Sequence, residues 1–384
     1  MSGLFPTYAR WEVEPVKAEG SYLTDINNKT YLDFTSGIGV CNLGHQPEVV
    51  KQAVLQQLDQ FWHVSNLFQQ EKQATAAKML AEAAGLHSVF FANSGAEANE
   101  GAIKLARKAT ARTKIITFEQ SFHGRTFATM SATGQNKIKE GYGSMLETFV
   151  YVPFNDIESL KAEISTDVAA VMLEVIQGEG GIYVGEIDFL KEVEKLCKEY
   201  GALLVIDEIQ TGLGRTGKPF AFQHYELSPD IVTSAKGLGS GFPIGAVIGA
   251  EKLVPFFGPG SHGSTFGGNP VSISAAIATM EVIFAPEFID EVIKKGEYTK
   301  SLLKEELKDV SVVKDIRGLG LMIGVELKIP IAPFLKELRA NGLLALSAGE
   351  NVLRLLPPLN VTEEQIKEAV NIIKRELIQS YITA

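Results

Sequence analysis

Apolar and polar positions follow two rhythms along this 384-residue chain. Between about residues 89 and 250, short apolar runs alternate with stretches whose apolar positions recur every three to four residues. The runs Val89-Phe90-Phe91, Ile115 to Phe118, Ala169 to Ile176, Leu203 to Ile209, Ile231 to Ser234 and Ile244 to Gly249 predict strands. Ala96 to Ala109 and Phe189 to Tyr200 predict helices. Strands alternating with helices predict an α/β fold, with a mostly parallel sheet covered by helices on both faces.

The flanks differ. Tyr22 to Asp25 and Thr30 to Phe34 alternate around Asn27-Asn28, which predicts a hairpin, and Thr35 to Gly39 reads as a loop. Pro47 opens a helix with Val50, Val54 and Leu58 on one face; a second helix spans about Gln70 to Ala84 and stops before Gly85. A long helical region begins at Asn269, and a boundary is expected near residues 280–300. The remainder predicts a smaller α+β unit: strands Gly324 to Leu327 and Val352 to Leu355, helices Ile331 to Asn341 and Thr362 to Ser380. The last helix opens on the capping box Thr362-Glu363-Glu364-Gln365.

Composition narrows the function classes. Hydrophobic residues are 45% and charged residues 21%, an ordinary globular balance. A net charge of −10 gives no general attraction to nucleic acid or an anionic membrane. Cys41 and Cys197 form no Cys-x-x-Cys pair and the six histidines are scattered, so neither a disulfide framework nor a metal site is expected. The N-terminus has no basic-then-apolar leader and no run is long enough to span a bilayer, so a cytoplasmic protein is expected.

Candidate chemistry lies where apolar runs end in polar residues, since ligands of open α/β sheets bind outside the carboxyl ends of the strands. Lys236 follows Ile231-Val232-Thr233 and precedes Gly237, Gly239 and Gly241. A desolvated lysine has a lowered pKa and serves as a Schiff-base nucleophile; the plainer reading is a strand-end lysine that snorkels to water beside a glycine turn. Asp207 ends the run Ala202 to Ile206, where a carboxylate needs either backbone donors or a protonated ring nitrogen. Ser94 and Glu97 have capping-box spacing, so Ser94-Gly95-Ala96 starts a helix whose free amides suit a phosphate or simply cap a helix. Phe122-His123-Gly124-Arg125 offers flat rings and a guanidinium fork suited to a carboxylate. Gln177-Gly178-Glu179-Gly180-Gly181 places a glutamate in a strand-end loop. Gly212 to Gly217 spells G-x-G-x-x-G, but Pro219 and an irregular stretch follow where a dinucleotide fold needs a helix, so that reading is rejected. A lysine with an aspartate suited to a pyridinium nitrogen is instead the protein side of pyridoxal 5′-phosphate (PLP) chemistry.

On these residues the chain resembles the class III aminotransferases of PLP fold type I over nearly its full length. The resemblance rests on Asn93 to Glu100, Phe122 to Thr126, Gln177 to Gly181, Asp207 to Gly212, Ala235-Lys236, Ser264 to Pro270 and Arg317 to Gly320. It implies a seven-stranded sheet in a large domain over 46–280, with a small domain from 1–45 and 281–384. It implies PLP held by Lys236, with Asp207 on the ring nitrogen, Gln210 near the ring hydroxyl and Phe122 stacked on the ring. Ser94, Gly95 and Ala96 would take the phosphate, and Thr265 the phosphate of the partner subunit's cofactor, giving a homodimer with shared active sites. Arg125 and Ser264 match contacts to an N2-acetylornithine donor. Arg354 matches the arginine for the α-carboxylate of the glutamate/2-oxoglutarate pair, and Glu179 the glutamate that neutralises it when the other substrate is bound. Ornithine, 4-aminobutyrate, succinylornithine and N-acetyl-lysine remain alternative donors, and an aminomutase is a more distant alternative. Two departures stand out: Ser264 where threonine is common, and Glu174-Val175 where Glu-Pro is common.

Overall fold

Leu203–Asp207 is apolar until its last residue, and all five residues are buried. A strand so uniformly apolar is stable only with helices on both faces, and it lies at the centre of a seven-stranded sheet. The computed structural model describes residues 3–381. In sheet order the strands are Ser88–Ala92, Gly245–Gly249, Ile231–Ser234, Leu203–Asp207, Val168–Leu173, Lys114–Phe118 and Phe149–Val152. Gly245–Gly249 is antiparallel to both of its neighbours, and the other pairings are parallel. The predicted α/β class is therefore present.

Helix Gly95–Thr110 crosses one face. Ser94 caps it by accepting the Glu97 amide at 3.2 Å. The reciprocal half of the expected capping box is missing: the Glu97 carboxylate bonds Asn93 instead, taking its backbone N–H at 2.7 Å and its side-chain amide at 2.8 Å. Gly101 lets this helix sit close on the sheet, since a Cβ there would lie 2.9 Å from Val247.

Two predicted strands end early, each because a carboxylate turns the chain. Ala169 to Ile176 is split into Val168–Leu173 and Ile176–Gln177. Between them, Glu174 accepts the amides of Phe122 at 3.0 Å and Gly178 at 3.2 Å. Leu203 to Ile209 stops at Asp207, whose Oδ1 accepts the Ile209 amide at 3.0 Å and starts a turn. The predicted hairpin is Tyr22–Asp25 with Thr30–Asp33, and Thr35 to Gly39 is a left-handed turn with φ between 40° and 73° over Ser36–Gly39. Strands Pro15–Glu19, Phe149–Val152 and Val313–Leu319 were not anticipated.

The C-terminal part forms a second four-stranded antiparallel sheet, Val313–Leu319, Met322–Leu327, Val352–Leu355 and Leu346–Ala348. Leu343–Leu344 leaves it to pair in parallel with Thr30–Asp33, tying the two ends of the chain together. The G-x-G-x-x-G stretch is a turn. Its Arg215 is fully buried, donating to Leu321 O, Pro357 O and Asn42 Oδ1. The capping box at Thr362 is present in both directions, at 3.0 and 3.3 Å. Among the described residues no single helix is long and apolar enough to cross a membrane.

Candidate active site

Five strand ends converge on one cavity of about 440 Å³. Its walls include Asn93 to Ala96, Phe122 to Arg125, Glu174, Asp207, Ile209, Gln210 and Lys236, with Val40 and the Gly241 to Ile244 turn closing one side. Asn93 to Ala96, Phe122 to Arg125, Glu174, Asp207 to Gln210 and Lys236 follow the carboxyl ends of strands that run in one direction, whereas the Gly241 to Ile244 turn precedes the antiparallel strand Gly245–Gly249.

Lys236 follows Ile231–Ser234 and has φ 44°, a left-handed conformation that turns the chain sharply after the strand. Among the described residues its amine makes no hydrogen bond. Burial lowers its pKa to about 8, with Glu179 pulling the other way and Arg354 adding to the fall. Gly237 must be glycine, since a Cβ would come 2.2 Å from the Asn42 amide. Asp207 is buried, and its Oδ2 accepts from Asn99 Nδ2 at 2.7 Å and His123 Nδ1 at 2.8 Å.

The remaining predicted residues divide. Ser94, Gly95, Ala96, Phe122, Gln210 and Arg125 line the cavity. Arg125 is exposed and sits over the Phe122 ring at 5.7 Å. Glu179 lines an adjoining outer cavity of about 700 Å³ that shares Phe122 and Arg125. Arg354 lines neither wall: it is buried behind Glu179, with Nη2 donating to Oε2 at 3.2 Å and Nη1 to Oε1. Gly178 O at 3.1 Å and Gln210 Oε1 at 3.0 Å complete its set. Burial pushes the Glu179 carboxyl up, but Arg354 outweighs this and holds it below the usual carboxylate range. Thr265 and Ser264 line a separate polar cavity with His63, Ser65 and Asn66. Ser264 Oγ still reaches the first cavity's rim by accepting from Asn93 Nδ2 at 3.2 Å.

Sequence reasoning missed Asn99, Glu174 and Ile209, and gave no role to His123. Burial raises Glu174 to about 7, against the opposing pull of His123. The one available signal was the unusual carboxylate inside an otherwise apolar run.

The chain belongs to the class-III aminotransferases, whose family model matches residues 7–377. Acetylornithine aminotransferase of Bacillus subtilis is 57% identical over 98% of both chains, and that of Halalkalibacterium halodurans is 56% identical over 100% of both. Among solved structures, ornithine aminotransferase of Toxoplasma gondii superposes with a TM-score of 0.95 at 32% identity, covering 100% of this chain and 94% of that one. N-acetylornithine aminotransferase of Stenotrophomonas maltophilia does so at 0.85 and 35%, covering 98% of each.

The protein is thus an aminotransferase acting on small molecules, and its family works with PLP. The cavity fits that group on three counts. Lys236 presents an unpaired amine, and Asp207 presents an acceptor-only carboxylate. The helix Gly95–Thr110 opens at the wall with its first amides, those of Gly95 and Ala96, outside the helix ladder.

Proposed function

We propose that the protein transfers the terminal amino group of N2-acetyl-L-ornithine to 2-oxoglutarate, giving N-acetyl-L-glutamate 5-semialdehyde and L-glutamate, a step of arginine biosynthesis. The observation that carries this is the meeting of Lys236, Asp207 and a helix N-terminus in one cavity, with Arg125 on its wall and Arg354 buried behind Glu179. The names of the relatives support the donor. PLP bound here supplies an electrophilic carbon for amines and a ring that accepts electrons from the carbon losing its proton. The chain's residues do the rest. Lys236 Nζ, poised by burial near neutral pH, moves a proton at the substrate's amine-bearing carbon. Asp207 holds the ring nitrogen, Phe122 and Ile209 give apolar walls, Gln210 lies beside them, and Ser94, Gly95 and Ala96 hold the phosphate.

Two different carboxylates must be read in turn. Arg125, exposed on the wall of the cavity that Asn93 also lines, takes the donor's carboxylate, and Ser264, bonded to Asn93, assists. Arg354 takes the α-carboxylate of 2-oxoglutarate once Glu179 swings away; with the donor bound, Glu179 keeps Arg354 neutralised. Thr265, outside the Lys236 cavity, acts on the cofactor of a partner subunit, so the working form is a homodimer. Support comes from exposed apolar side chains: Leu67 lines that polar cavity, Phe61, Trp62, Phe68 and Phe266 adjoin its lining residues in the chain, and Leu58, at helical spacing with the buried Val50 and Val54, is 38% exposed. We divide the chain into a large domain, 46–280, and a small domain from 1–45 and 281–384, supported by the pairing of Leu343–Leu344 with Thr30–Asp33. Two unpaired cysteines, Cys41 and Cys197, support a reducing, cytoplasmic setting.

The test is a half-reaction. N2-acetylornithine added to the PLP-loaded enzyme bleaches the visible band, and 2-oxoglutarate restores it. If ornithine, 4-aminobutyrate, succinylornithine or N-acetyl-lysine bleaches the band with a higher second-order rate constant, the donor is wrong. If the band returns without an oxo acid, the aminomutase reading replaces this one.

A further inference from the structure

Asp207 is oriented by more than its strand. Its Oδ2 accepts two short bonds, from Asn99 Nδ2 at 2.7 Å and His123 Nδ1 at 2.8 Å. Its Oδ1 accepts only the Ile209 amide, at 3.0 Å. The two donors are themselves fixed. Thr233 Oγ1 donates to Asn99 Oδ1 at 2.7 Å, and Asn99 Nδ2 also donates to His123 O at 2.8 Å. That assigns the amide's orientation: its oxygen faces a hydroxyl and its nitrogen faces two acceptors. The His123 amide is anchored on Thr133 Oγ1 at 2.9 Å. Thr233 lies on the strand beside Leu203–Asp207, directly opposite Asp207 in the parallel register, so that pairing places the group that orients Asn99, while His123 comes from the loop after Lys114–Phe118.

The His123 ring is 2% exposed, and its Nε2 is buried without a partner among the described residues. A carboxylate at Nδ1 is an acceptor only, so the proton of the ring belongs on Nδ1. Leaving a buried ring nitrogen unpaired costs free energy. The charged groups facing this cluster are Glu174 and Lys236 from the cavity walls, Glu208 next in the chain to Asp207, and Glu179 and Arg354 behind them.

We infer that His123 and Asn99 are a positioning pair for Asp207: they occupy Oδ2, leave Oδ1 to the cofactor's ring nitrogen, and make His123 the residue that sets how strongly Asp207 holds the proton there. Asn99 lies one turn into the same helix that offers Gly95 and Ala96 to the phosphate. One rigid element therefore fixes both ends of the group it receives. The inference rests on the PLP-dependent reading above.

Two substitutions separate positioning from packing. His123→Asn keeps an N–H donor where Nδ1 stood; His123→Leu fills the space and removes it. Both are compared as PLP-loaded enzyme with the wild type, reading kcat, KM for both substrates, and the pH midpoint of the visible absorbance. His123→Leu is expected to lose about tenfold or more in kcat, with KM values within about threefold, and to move the midpoint by about half a unit or more. His123→Asn should stay within about threefold in kcat and close to the wild-type midpoint. Equal losses in the two variants, or a His123→Leu enzyme with wild-type kcat and midpoint, overturn the inference. Should the leucine variant fail to fold, 15N spectra of the histidine-labelled wild-type holoenzyme decide instead: a proton on Nδ1 of His123 supports the pair and a proton on Nε2 alone overturns it. A wild type that shows neither visible band nor turnover would refute the functional reading rather than this one.

Discussion

Glu179 is the competitor that 2-oxoglutarate must displace, so replacing it by glutamine should tighten the acceptor and weaken the donor. Both of its oxygens face Arg354, which is 3% exposed against 29% for the Glu179 side chain. The glutamate is thus the partner free to leave. Arg354 holds its carboxyl below the usual range despite burial, so Glu179 competes as an anion throughout the working pH range. Hydrogen bonds to charged groups contribute about 1.5–3 kcal/mol net. Part of that returns when the glutamate is rehydrated, which leaves an expected fall of about tenfold in KM for 2-oxoglutarate in Glu179→Gln. Glutamine keeps an acceptor for Arg354, and Gly178 O and Gln210 Oε1 remain, so the buried guanidinium is not orphaned. With the neutralising charge gone, Arg354 also attracts the carboxylate of N2-acetylornithine into a pose that presents the wrong end. The donor's kcat/KM should fall by a similar factor. Steady-state assays that vary one substrate at saturating levels of the other measure both. An unchanged or higher KM for 2-oxoglutarate would show that Arg354 is not the acceptor's carboxylate site.

Lys236→Ala should abolish the visible band and turnover while PLP still binds noncovalently; a variant that keeps both refutes the role of Lys236. The same lysine makes a pH prediction for the protein without cofactor. Its folded pKa of about 8 lies below the ordinary lysine value of 10.5, so from pH 8 to 10.5 the unfolded chain binds the extra proton. Stability from this group therefore rises with pH across that window and is reduced below it. Subtracting the urea-unfolding curve of Lys236→Met from that of the wild type at each pH isolates the term, and a difference that is flat or falls with pH refutes it. Arg125→Ala should raise KM for N2-acetylornithine by roughly tenfold with kcat little changed, since an exposed arginine contributes uniform binding; an equal loss in kcat points to a different role. Gly245→Ala places a Cβ 2.3 Å from the carbonyl oxygen of Ser94. It should cost roughly 1–3 kcal/mol and weaken PLP binding together, because the helix start is pushed off the cavity wall; a variant with wild-type stability and PLP affinity contradicts the packing.

Six of the seven strands of the large sheet were legible because their physics is local. A strand buried on both faces must be continuously apolar, so a polar residue that ends such a run is conspicuous, and Asp207 and Lys236 each do so. Glycines and caps were legible for the same reason: Gly85 in the left-handed cap of Glu71–Ala84, Ser94 at the start of its helix, Thr362 with Gln365. What was hidden depends on which strands become neighbours. Asn99 reads as one more polar residue in an amphipathic helix until Ile231–Ser234 pairs with Leu203–Asp207 and brings Thr233 across from Asp207. Glu174 looks like an interruption of a strand until the loops holding Phe122 and Gly178 close on it. Leu343–Leu344 is too short to register alone, yet it joins the two chain ends.

The same distinction explains how the site divides its labour. Residues that meet the reacting groups stand at strand ends, where a local break in apolar character exposes them. Residues that hold those groups in place use partners more than 50 positions away: Asn99, inside a helix, with Asp207, and Glu174, in the turn between two strands, with Phe122. Holding a carboxylate or a guanidinium inside a protein requires that its hydrogen bonds be met without water. Distant elements supply them here, so the geometry of the site is only as fixed as the packing of the sheet. Substitutions at the strand ends should therefore act on chemistry with little change in stability, whereas substitutions at Asn99, Glu174 or Arg215 should lower both together. Urea-unfolding midpoints measured beside kcat across both groups test this; two groups that overlap in stability loss would mean that the supporting residues are not what fixes the site.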